Sequence, residues 1–156
     1  MRALLQRVSS ASVRVGDQQV AGIGPGLVVL LGVGQRDDEQ IADALAQRIA
    51  DLRMFVDEAG KTNRSVLEVG GDVIVVSQFT LYADTSRGRR PGFTDAGPAE
   101  LAERLYRRVA QRLTVLGIKH VETGQFGAEM AVELVNDGPF TLWLDTDARQ
   151  KGAPRT

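Results

Sequence analysis

The stretch Ala131-Val132-Glu133-Leu134-Val135-Asn136-Asp137-Gly138-Pro139-Phe140-Thr141-Leu142-Trp143-Leu144 sets two strand-like runs on either side of a turn-forming tetrapeptide. Residues 131–135 and 140–144 are rich in β-branched, aromatic and leucine side chains, so each run predicts a strand. The segment between them, residues 136–139, predicts a hairpin-like corner, because Asn and Asp tolerate left-handed dihedrals, Gly accepts them freely and Pro fixes φ. Proline cannot donate to a sheet, and X–Pro bonds alone adopt cis geometry at modest cost. The corner is therefore either a plain turn or a stiff tip that presents two carbonyl groups.

The composition is typical of a globular protein with one domain. The chain has 156 residues, of which 43% are hydrophobic and 25% charged, and its formal net charge is −1. Such a charge argues against a protein that coats nucleic acid through its overall field, although a local basic patch stays possible. Cysteine is absent from the sequence, which excludes disulfides, zinc–thiolate sites and cysteine nucleophiles. Neither a secretory leader nor a membrane-length apolar run is evident, so we expect a cytoplasmic protein.

Outside the opening stretch, hydrophobic periodicity predicts further strands and two main helices. The expected strands are residues 3–8, 11–15, 19–23, 27–31, 66–69, 73–76 and 118–123. The first helix is expected to be capped by Asp37 and to run to about Arg53. The second is expected to begin at Pro98 and to stop at Gly117. Their predicted buried stripes are Ile41, Leu45, Ile49 and Leu52 in the first helix, and Leu101, Leu105, Val109, Leu113 and Leu116 in the second.

This order of elements predicts a mixed α/β fold of the layered α/β/β kind. β-rich segments open and close the chain, and the two main helices should cover one side of mixed β-sheets. We find no internal repeat and no linker, so residues 1–156 are expected to form a single domain. Residues 57–65 predict a polar loop, residues 84–97 an irregular segment, and residues 145–156 a loose polar tail.

Residues Ser77-Gln78-Phe79-Thr80 are the best candidates for catalysis. They follow an apolar strand, at the end where α/β sheets open toward ligands, and their hydroxyls, amide and backbone N–H groups could form an oxyanion site. The alternative is that Ser77 and Thr80 merely begin a turn. His120 is the only histidine, so a multi-histidine metal centre within one chain is excluded, and no nucleophile elbow accompanies it. If the protein is an enzyme, we therefore expect it to work without an imidazole base on a substrate that is already activated.

Two groups of arginines could contact an anionic partner. Arg87, Arg89 and Arg90 lie in the irregular segment beside Pro91, where phosphate contacts would be sterically easy. Three more recur on the second helix, at positions 104, 108 and 112, a spacing typical of a solvated helix face. The loop group is the better candidate for contacts with nucleic acid.

Residues 77–80 and 136–141 together resemble the two signature motifs of the D-aminoacyl-tRNA deacylase family. Met1-Arg2 with residues 6–8, residues 51–63, Arg89-Arg90-Pro91-Gly92-Phe93 and residues 124–130 are similar in place and order, so the resemblance covers essentially the whole chain. Arg87 stands where many members carry Lys, which keeps the charge. The resemblance implies a homodimer that hydrolyses the ester between a D-amino acid and the terminal adenosine of tRNA, without metal or cofactor.

The resemblance also implies roles for individual residues. Gly138 and Pro139, joined by a cis bond and flanked by Asn136, would enter the partner subunit's pocket, hold the amino group and exclude L side chains, although glycine should partly escape. Ser77, Gln78, Phe79 and Thr80 would line the facing wall, with backbone N–H groups near Phe79 and Thr80 at the oxyanion. The hydroxyl of Thr80 would position the substrate, with a nucleophilic role as the lesser alternative.

The remaining assignments concern tRNA. Gly127, Ala128 and Met130 would pack near the adenosine, and the Arg87–Arg90 group would bind tRNA. Two other functions stay open, namely a non-catalytic dimer that binds the acceptor end of tRNA, and an esterase of small acyl substrates. A membrane partner is not expected.

Overall fold

The computed structural model describes residues 1–147, and a six-stranded mixed sheet runs through them. Within this part of the chain the strands are β1 (Arg2–Val15), β2 (Gln18–Ile23), β3 (Gly26–Gly32), β4 (Arg53–Val56), β5 (Thr62–Ser65), β6 (Asp72–Ser77), β7 (Val121–Thr123) and β8 (Ala131–Asp145). The helices are α1 (Glu39–Asp51), α2 (Val66–Val69) and α3 (Ala99–Val115), with a 3₁₀ helix at Phe79–Tyr82. None of these helices is long and apolar enough to cross a membrane.

β1 is the strand around which the sheet is built. One of its edges pairs antiparallel with β8, from Arg2 opposite Asp145 to Arg14 opposite Ala131. Its other edge pairs antiparallel with β3 and then with β2. Beyond β3 the pairings of β3 with β6 and of β6 with β7 are parallel. The sheet is therefore mixed, as predicted, and β4 and β5 form a separate two-stranded ribbon.

Two apolar layers cover the central strands. On one face α1 and α3 pack against β3 and β6, and the most buried members of the predicted stripes are Leu45, Ile49, Leu105, Val109 and Leu113. On the opposite face the second half of β1, β2 and the first half of β8 close over β3 and β6. The buried side chains there include Val8, Val13, Val28, Ile74 and Val76. The sheet thus folds back on itself, which confirms the layered α/β/β arrangement with both main helices on one side.

The first helix begins one residue later than predicted, because Asp38 rather than Asp37 is its N-cap. The Asp38 carboxylate accepts a hydrogen bond from the Ile41 amide at 2.8 Å. Asp37 is instead buried, where it accepts from the Gly34 amide and from the Met1 ammonium, each at 2.6 Å. The sequence offers two adjacent carboxylates, and the buried ammonium takes the first of them.

Residues 66–69, predicted as a strand, form the short helix α2. Its N-terminus has a capping box: Ser65 accepts from the Glu68 amide, and Glu68 accepts from the Ser65 amide at 2.6 Å. Gly70 ends the helix with φ of +64°. The valines of this segment favour a strand, but the reciprocal cap satisfies two amides that a strand would leave open. The polar loop predicted just before it also contains a strand, β5, paired with β4.

The opening stretch is a single strand with an outward bulge, so the predicted hairpin-like corner is wrong. Both halves of β8 pair with β1, which is likewise continuous where two strands were predicted. Asn136 pairs with Val8 and Thr141 with Gln6, so the four residues Asp137–Phe140 oppose Arg7 alone. The chain therefore bulges out of the sheet without reversing direction. We call residues 137–140 the tip.

The predicted loose tail begins later than expected. Asp145 still pairs with Arg2, and the Thr146 amide donates to the carbonyl of Met1 at 2.9 Å. The Thr146 hydroxyl also accepts from the Met1 ammonium. Residues up to Thr146 are thus attached to the start of the chain, and the predicted tail beyond Asp147 lies outside the described residues.

His120 lies just before β7, not within a strand as predicted, and is held between two carboxylates. Its Nε2 atom is 2.8 Å from Glu122, and its Nδ1 atom is 3.3 Å from Asp72. Asp72 also accepts from the Gly24 amide at 3.2 Å. The hydrogen bond with Glu122, and then that with Asp72, raises the pKa of His120. The group joins the starts of β6 and β7 to the turn between β2 and β3.

The His120 group makes stability depend on pH in a defined direction. Because the pKa of His120 is raised in the folded state, its stabilising effect is full below about pH 6.5, the pKa of free histidine, and is lost as pH rises through the folded pKa. We expect the melting temperature of the native protein to fall more between pH 6 and pH 9 than that of His120→Gln. Lys119→Gln should keep the native pH dependence, and identical pH profiles for all three proteins would contradict the assignment.

Candidate active site

A cavity of about 460 Å³ opens where β6 ends and the 3₁₀ helix begins. Its walls include Ser77, Gln78, Phe79, Gly127, Ala128 and Met130. These are members of two groups singled out in the sequence, and the structure brings them together. Thr80 is exposed beside the cavity and is not part of its lining. Two clefts of similar size, about 570 and 590 Å³, contain no residue of 77–80 or 136–141.

The backbone at residues 77–80 leaves two N–H groups free to donate. The Gln78 amide donates to the carbonyl of Leu31 at 2.8 Å, and the first bond of the 3₁₀ helix runs from the Leu81 amide to the carbonyl of Gln78 at 3.2 Å. Between them, the amides of Phe79 and Thr80 have no acceptor among the described residues. The side-chain amide of Gln78 donates to the hydroxyl of Thr80 and so orients it. Two adjacent donors, one on a residue of the cavity wall and the other on the residue beside it, are suited to an oxyanion.

The 3₁₀ helix is held in place by contacts with the start of β1. Arg2 donates to the carbonyl of Leu81 at 2.9 Å, and its guanidinium lies 4.4 Å from the centre of the Tyr82 ring. Tyr82 is buried, and its hydroxyl lies 3.4 Å from a carboxylate oxygen of Asp37. Burial, together with the nearby Asp37, raises the pKa of Tyr82, so its hydroxyl stays protonated at neutral pH. A Cβ atom at Gly34 would lie 2.7 Å from that hydroxyl, which explains the glycine there.

The opposite wall is formed by residues 124–130. The hydroxyl of Tyr106 donates to the carbonyl of Gly124 at 3.1 Å, and its ring lies 5.9 Å from that of Phe126. A Cβ atom at Gly124 would come within 2.7 Å of the sulfur of Met130, so the glycine leaves room for that side chain. Phe126 lines the cavity but was not singled out in the sequence, since a lone aromatic in a polar loop gives no periodic signal.

The tip does not line this cavity, as none of its residues belongs to the cavity lining. Gly138 and Pro139 are exposed, and the peptide bond between them is cis. Asn136 closes the base of the tip: its side chain accepts from the Phe140 amide at 3.1 Å and donates to the Thr141 hydroxyl at 2.8 Å. The sequence motif therefore divides into a base that fixes the bulge and a tip that projects outward.

Arg7 holds the tip to the sheet, and the sequence analysis assigned it no role. Its Nε atom donates to the carbonyl of Asp137 at 3.1 Å, and a terminal nitrogen donates to the carbonyl of Met54 at 2.6 Å. The guanidinium also lies 4.9 Å from the centre of the Phe140 ring. From the sequence, an arginine in a strand is expected to face solvent. Only the pairing of β1 with β8 shows that this arginine bonds to the tip.

Arg87, Arg89 and Arg90 lie in an exposed loop between the 3₁₀ helix and α3. Two backbone bonds between Asp84 and Gly92, of 2.8 and 2.9 Å, close the base of this loop. None of the three arginines forms an ion pair with a carboxylate of residues 1–147. Arg108, by contrast, binds Asp43 at 2.8 Å and lowers the pKa of that carboxyl. The loop thus carries free positive charge, while part of the helical group is already neutralised.

Comparison with known proteins gives the same family from a family model and from individual relatives. A family model described as D-Tyr-tRNA(Tyr) deacylase matches residues 4–145. The D-aminoacyl-tRNA deacylase of Symbiobacterium thermophilum is 59% identical over 147 residues, which cover 94% of this chain and 97% of that protein. The D-aminoacyl-tRNA deacylase of Thermomicrobium roseum is 54% identical over 153 residues, covering 98% and 99%.

Two solved structures are similar in fold. A structure titled "c-Myc DNA Unwinding Element Binding Protein" superposes with a TM-score of 0.89 at 38% identity, covering 94% of this chain and 99% of that one. A structure described as a probable eukaryotic D-amino acid tRNA deacylase superposes with a TM-score of 0.81 at 18% identity, covering 92% and 97%. The second likeness concerns the fold alone.

The contacts of Arg7 predict a local loss of order when it is replaced. Arg7→Met should remove the charge-assisted bonds to Asp137 and Met54, and amide hydrogen exchange at Phe140 should become about ten-fold faster or more. Arg14→Met is the matched control, because Arg14 lies on the same strand and bonds only to the carbonyl of nearby Asp17. Equal exchange at Phe140 in both variants would show that Arg7 does not hold the tip.

Proposed function

The chain belongs to the D-Tyr-tRNA(Tyr) deacylase family and is a hydrolase, and we propose that it cleaves the ester between a D-amino acid and the terminal adenosine of tRNA. The proposal is carried by the unpaired amides of Phe79 and Thr80 beside the cavity, in a chain 59% identical to a D-aminoacyl-tRNA deacylase. The products would be the free D-amino acid and tRNA. Mischarged glycyl-tRNA would be a second substrate, because glycine has no side chain to be excluded.

Hydrolysis would rely on positioned backbone donors. Water adds to the ester carbonyl, the carbonyl oxygen becomes negative, and the N–H groups of Phe79 and Thr80 would stabilise it. The carbon–oxygen bond to the ribose then breaks, and the ribose oxygen takes up the proton that the attacking water gives up. The substrate is an activated ester whose neighbouring ribose hydroxyl can assist, which reduces the need for a basic side chain. His120 does not line the cavity and is held between Asp72 and Glu122, so it is not offered as the base.

The hydroxyl of Thr80 would position the substrate instead of attacking it. It accepts a hydrogen bond from the Gln78 side chain, and no carboxylate or imidazole of the described residues bonds to it. A hydroxyl in this setting lacks a partner that could remove its proton. Ser77 and Gln78 would shape the same wall.

Chiral selection would come from the tip of a second copy of the chain. The tip projects from β8 and is held by Arg7, yet it does not line the cavity of its own protomer. Val135 and Trp143, on β8, are 57% and 49% exposed, which favours an apolar contact between copies. In a homodimer the carbonyls of the partner's tip would bind the substrate amino group and leave no space for an L side chain.

The adenosine would lie against the wall formed by Gly127, Ala128 and Met130. These residues line the cavity together with the ring of Phe126, which offers an apolar surface to a base. A metal ion or cofactor has no part in this proposal.

We expect the purified, metal-free protein to release D-tyrosine from D-tyrosyl-tRNA, because its donors are backbone groups. L-tyrosyl-tRNA should be cleaved at least about a hundredfold more slowly, because a steric clash discriminates strongly. The measurement is the rate of ester loss for both enantiomers, with and without chelator. Equal rates for both, or loss of activity with chelator, would contradict the proposal. Binding of tRNA without turnover would instead identify a non-catalytic acceptor-end binding dimer, and cleavage of small acyl esters alone would identify a general esterase.

The basic loop should contribute to tRNA affinity through phosphate contacts. The double variant Arg87→Glu/Arg89→Glu should bind tRNA more weakly, and the slope of log affinity against log salt should become shallower by about 1.5. Arg104→Glu/Lys119→Glu is the matched control, since it makes the same charge change at two exposed positions away from the loop. If the two double variants have the same tRNA affinity and the same salt slope, the loop has no specific role in binding tRNA.

A further inference from the structure

Two aromatic rings meet at the rim of the candidate active site. The centres of the Phe79 and Phe93 rings are 5.0 Å apart, and the ring planes are inclined by 67°, an edge-to-face contact. Phe79 is 53% exposed although it lines the cavity. Among the large apolar side chains exposed in residues 1–147, it alone lines this cavity. Its ring is thus supported at one side and open at the mouth.

Both rings are held by backbone bonds rather than by packing alone. Phe79 is the first residue of the 3₁₀ helix, which Arg2 supports through Leu81. The carbonyl of Phe93 accepts from the Ala96 amide at 3.1 Å, and the next residue, Gly97, donates to the carbonyl of Val33 at 2.8 Å. The backbone that carries the two rings is therefore fixed before any ligand binds, which lowers the entropic cost of stacking on Phe79.

The basic loop begins at this aromatic pair. Gly92, which closes the loop through its two bonds to Asp84, immediately precedes Phe93. Arg87, Arg89 and Arg90 are thus carried by a loop whose base adjoins the exposed ring. Proteins that bind single-stranded nucleic acid combine an aromatic ring, on which a base stacks, with nearby positive charge for the phosphates. Recognition of a protein partner does not require an exposed aromatic ring and a cluster of positive charge beside the same cavity.

We propose that Phe79, braced by Phe93, is a stacking platform for the unpaired base that precedes the terminal adenosine of tRNA. This inference rests on the proposed function, in which the adenosine lies against Gly127–Met130 inside the cavity. The strand must then leave through the mouth, where the Phe79 ring is exposed and the arginines can meet its phosphates. Stacking uses only the π-face of that unpaired base, so the platform makes no demand on the sequence of the acceptor stem.

The first test compares two substrates with the same reacting ester. D-tyrosyl-tRNA carries the preceding bases, whereas 3′-O-D-tyrosyl-adenosine lacks them. The quantity compared is the ratio of kcat/KM on the tRNA to kcat/KM on the adenosine ester. Phe79→Leu should lower this ratio about ten-fold, whereas Phe79→Tyr, which keeps a ring, should preserve it. Phe93→Leu should also lower the ratio, but by a smaller factor than Phe79→Leu does. Val115→Ala, at an exposed apolar position near the end of α3, is the control and should leave the ratio unchanged.

The second test measures binding and does not depend on turnover. Uncharged tRNA should bind Phe79→Leu about ten-fold more weakly than the native protein, whereas tRNA that lacks its last three nucleotides should bind both proteins equally. If the native protein cleaves neither substrate, the proposed function fails. The binding measurement then decides by itself whether a base stacks on Phe79.

Two results would overturn the inference. An equal loss of kcat/KM on both substrates would mean that the ring acts only at the reacting ester, as when the partner's tip covers it. Unchanged affinity of Phe79→Leu for intact tRNA would mean that no base stacks there. Far-UV circular dichroism and melting of each variant identify any loss that comes from misfolding, and Phe79→Tyr keeps the comparison possible if Phe79→Leu does not fold.

Discussion

The antiparallel pairing of β1 with β8 is the contact on which both halves of the candidate site depend. At one end of β1, Arg2 reaches the 3₁₀ helix that carries the free amides of Phe79 and Thr80. Five residues along the same strand, Arg7 holds the tip. A strand advances about 3.4 Å per residue, so these two supports lie about 17 Å apart. This spacing fits a tip that projects away from the cavity of its own protomer and is available to another copy.

The chemistry of the site is assigned to main-chain groups, and the buried side chains serve to fix them. Asp37 accepts from the Met1 ammonium and from the Gly34 amide, and it lies beside the Tyr82 hydroxyl under the 3₁₀ helix. An ion pair between two buried groups is costly to break one side at a time, so the start of β1 is firmly attached there. A rigid foundation of this kind suits donors that must already point at a developing charge, because reorganisation would add to the barrier.

The parts of the fold that follow local rules could be predicted from the sequence, and the parts set by distant pairing could not. The stripes of α1 and α3 obey helical periodicity, so Leu45 and Leu105 were placed correctly in the core. The spacing of Ser65 and Glu68 is that of a capping box, but the strand prediction for residues 66–69 rested on the valines alone. The continuity of β8 depends on its register with β1, which no local pattern contains. Arg7 and Phe126 belong to stretches that carry the family resemblance, but neither could be given a role of its own, since their partners lie far away in the sequence.

The composition of the tip follows from its position opposite Arg7. Gly138 has φ of +132°, which L side chains rarely adopt, and a Cβ atom there would lie 2.9 Å from the Phe140 amide nitrogen and 3.0 Å from a guanidinium nitrogen of Arg7. Any larger residue would thus disturb the arginine that holds the bulge. Pro139 donates no hydrogen bond, and in a bulge that has left the ladder none is required. Arg7 in turn binds the carbonyl of Asp137, so a charged side chain on one strand fixes the direction of main-chain groups on the other. Selection by such groups would tolerate many substrate side chains, because the contacts are made to the atoms that all amino acids share.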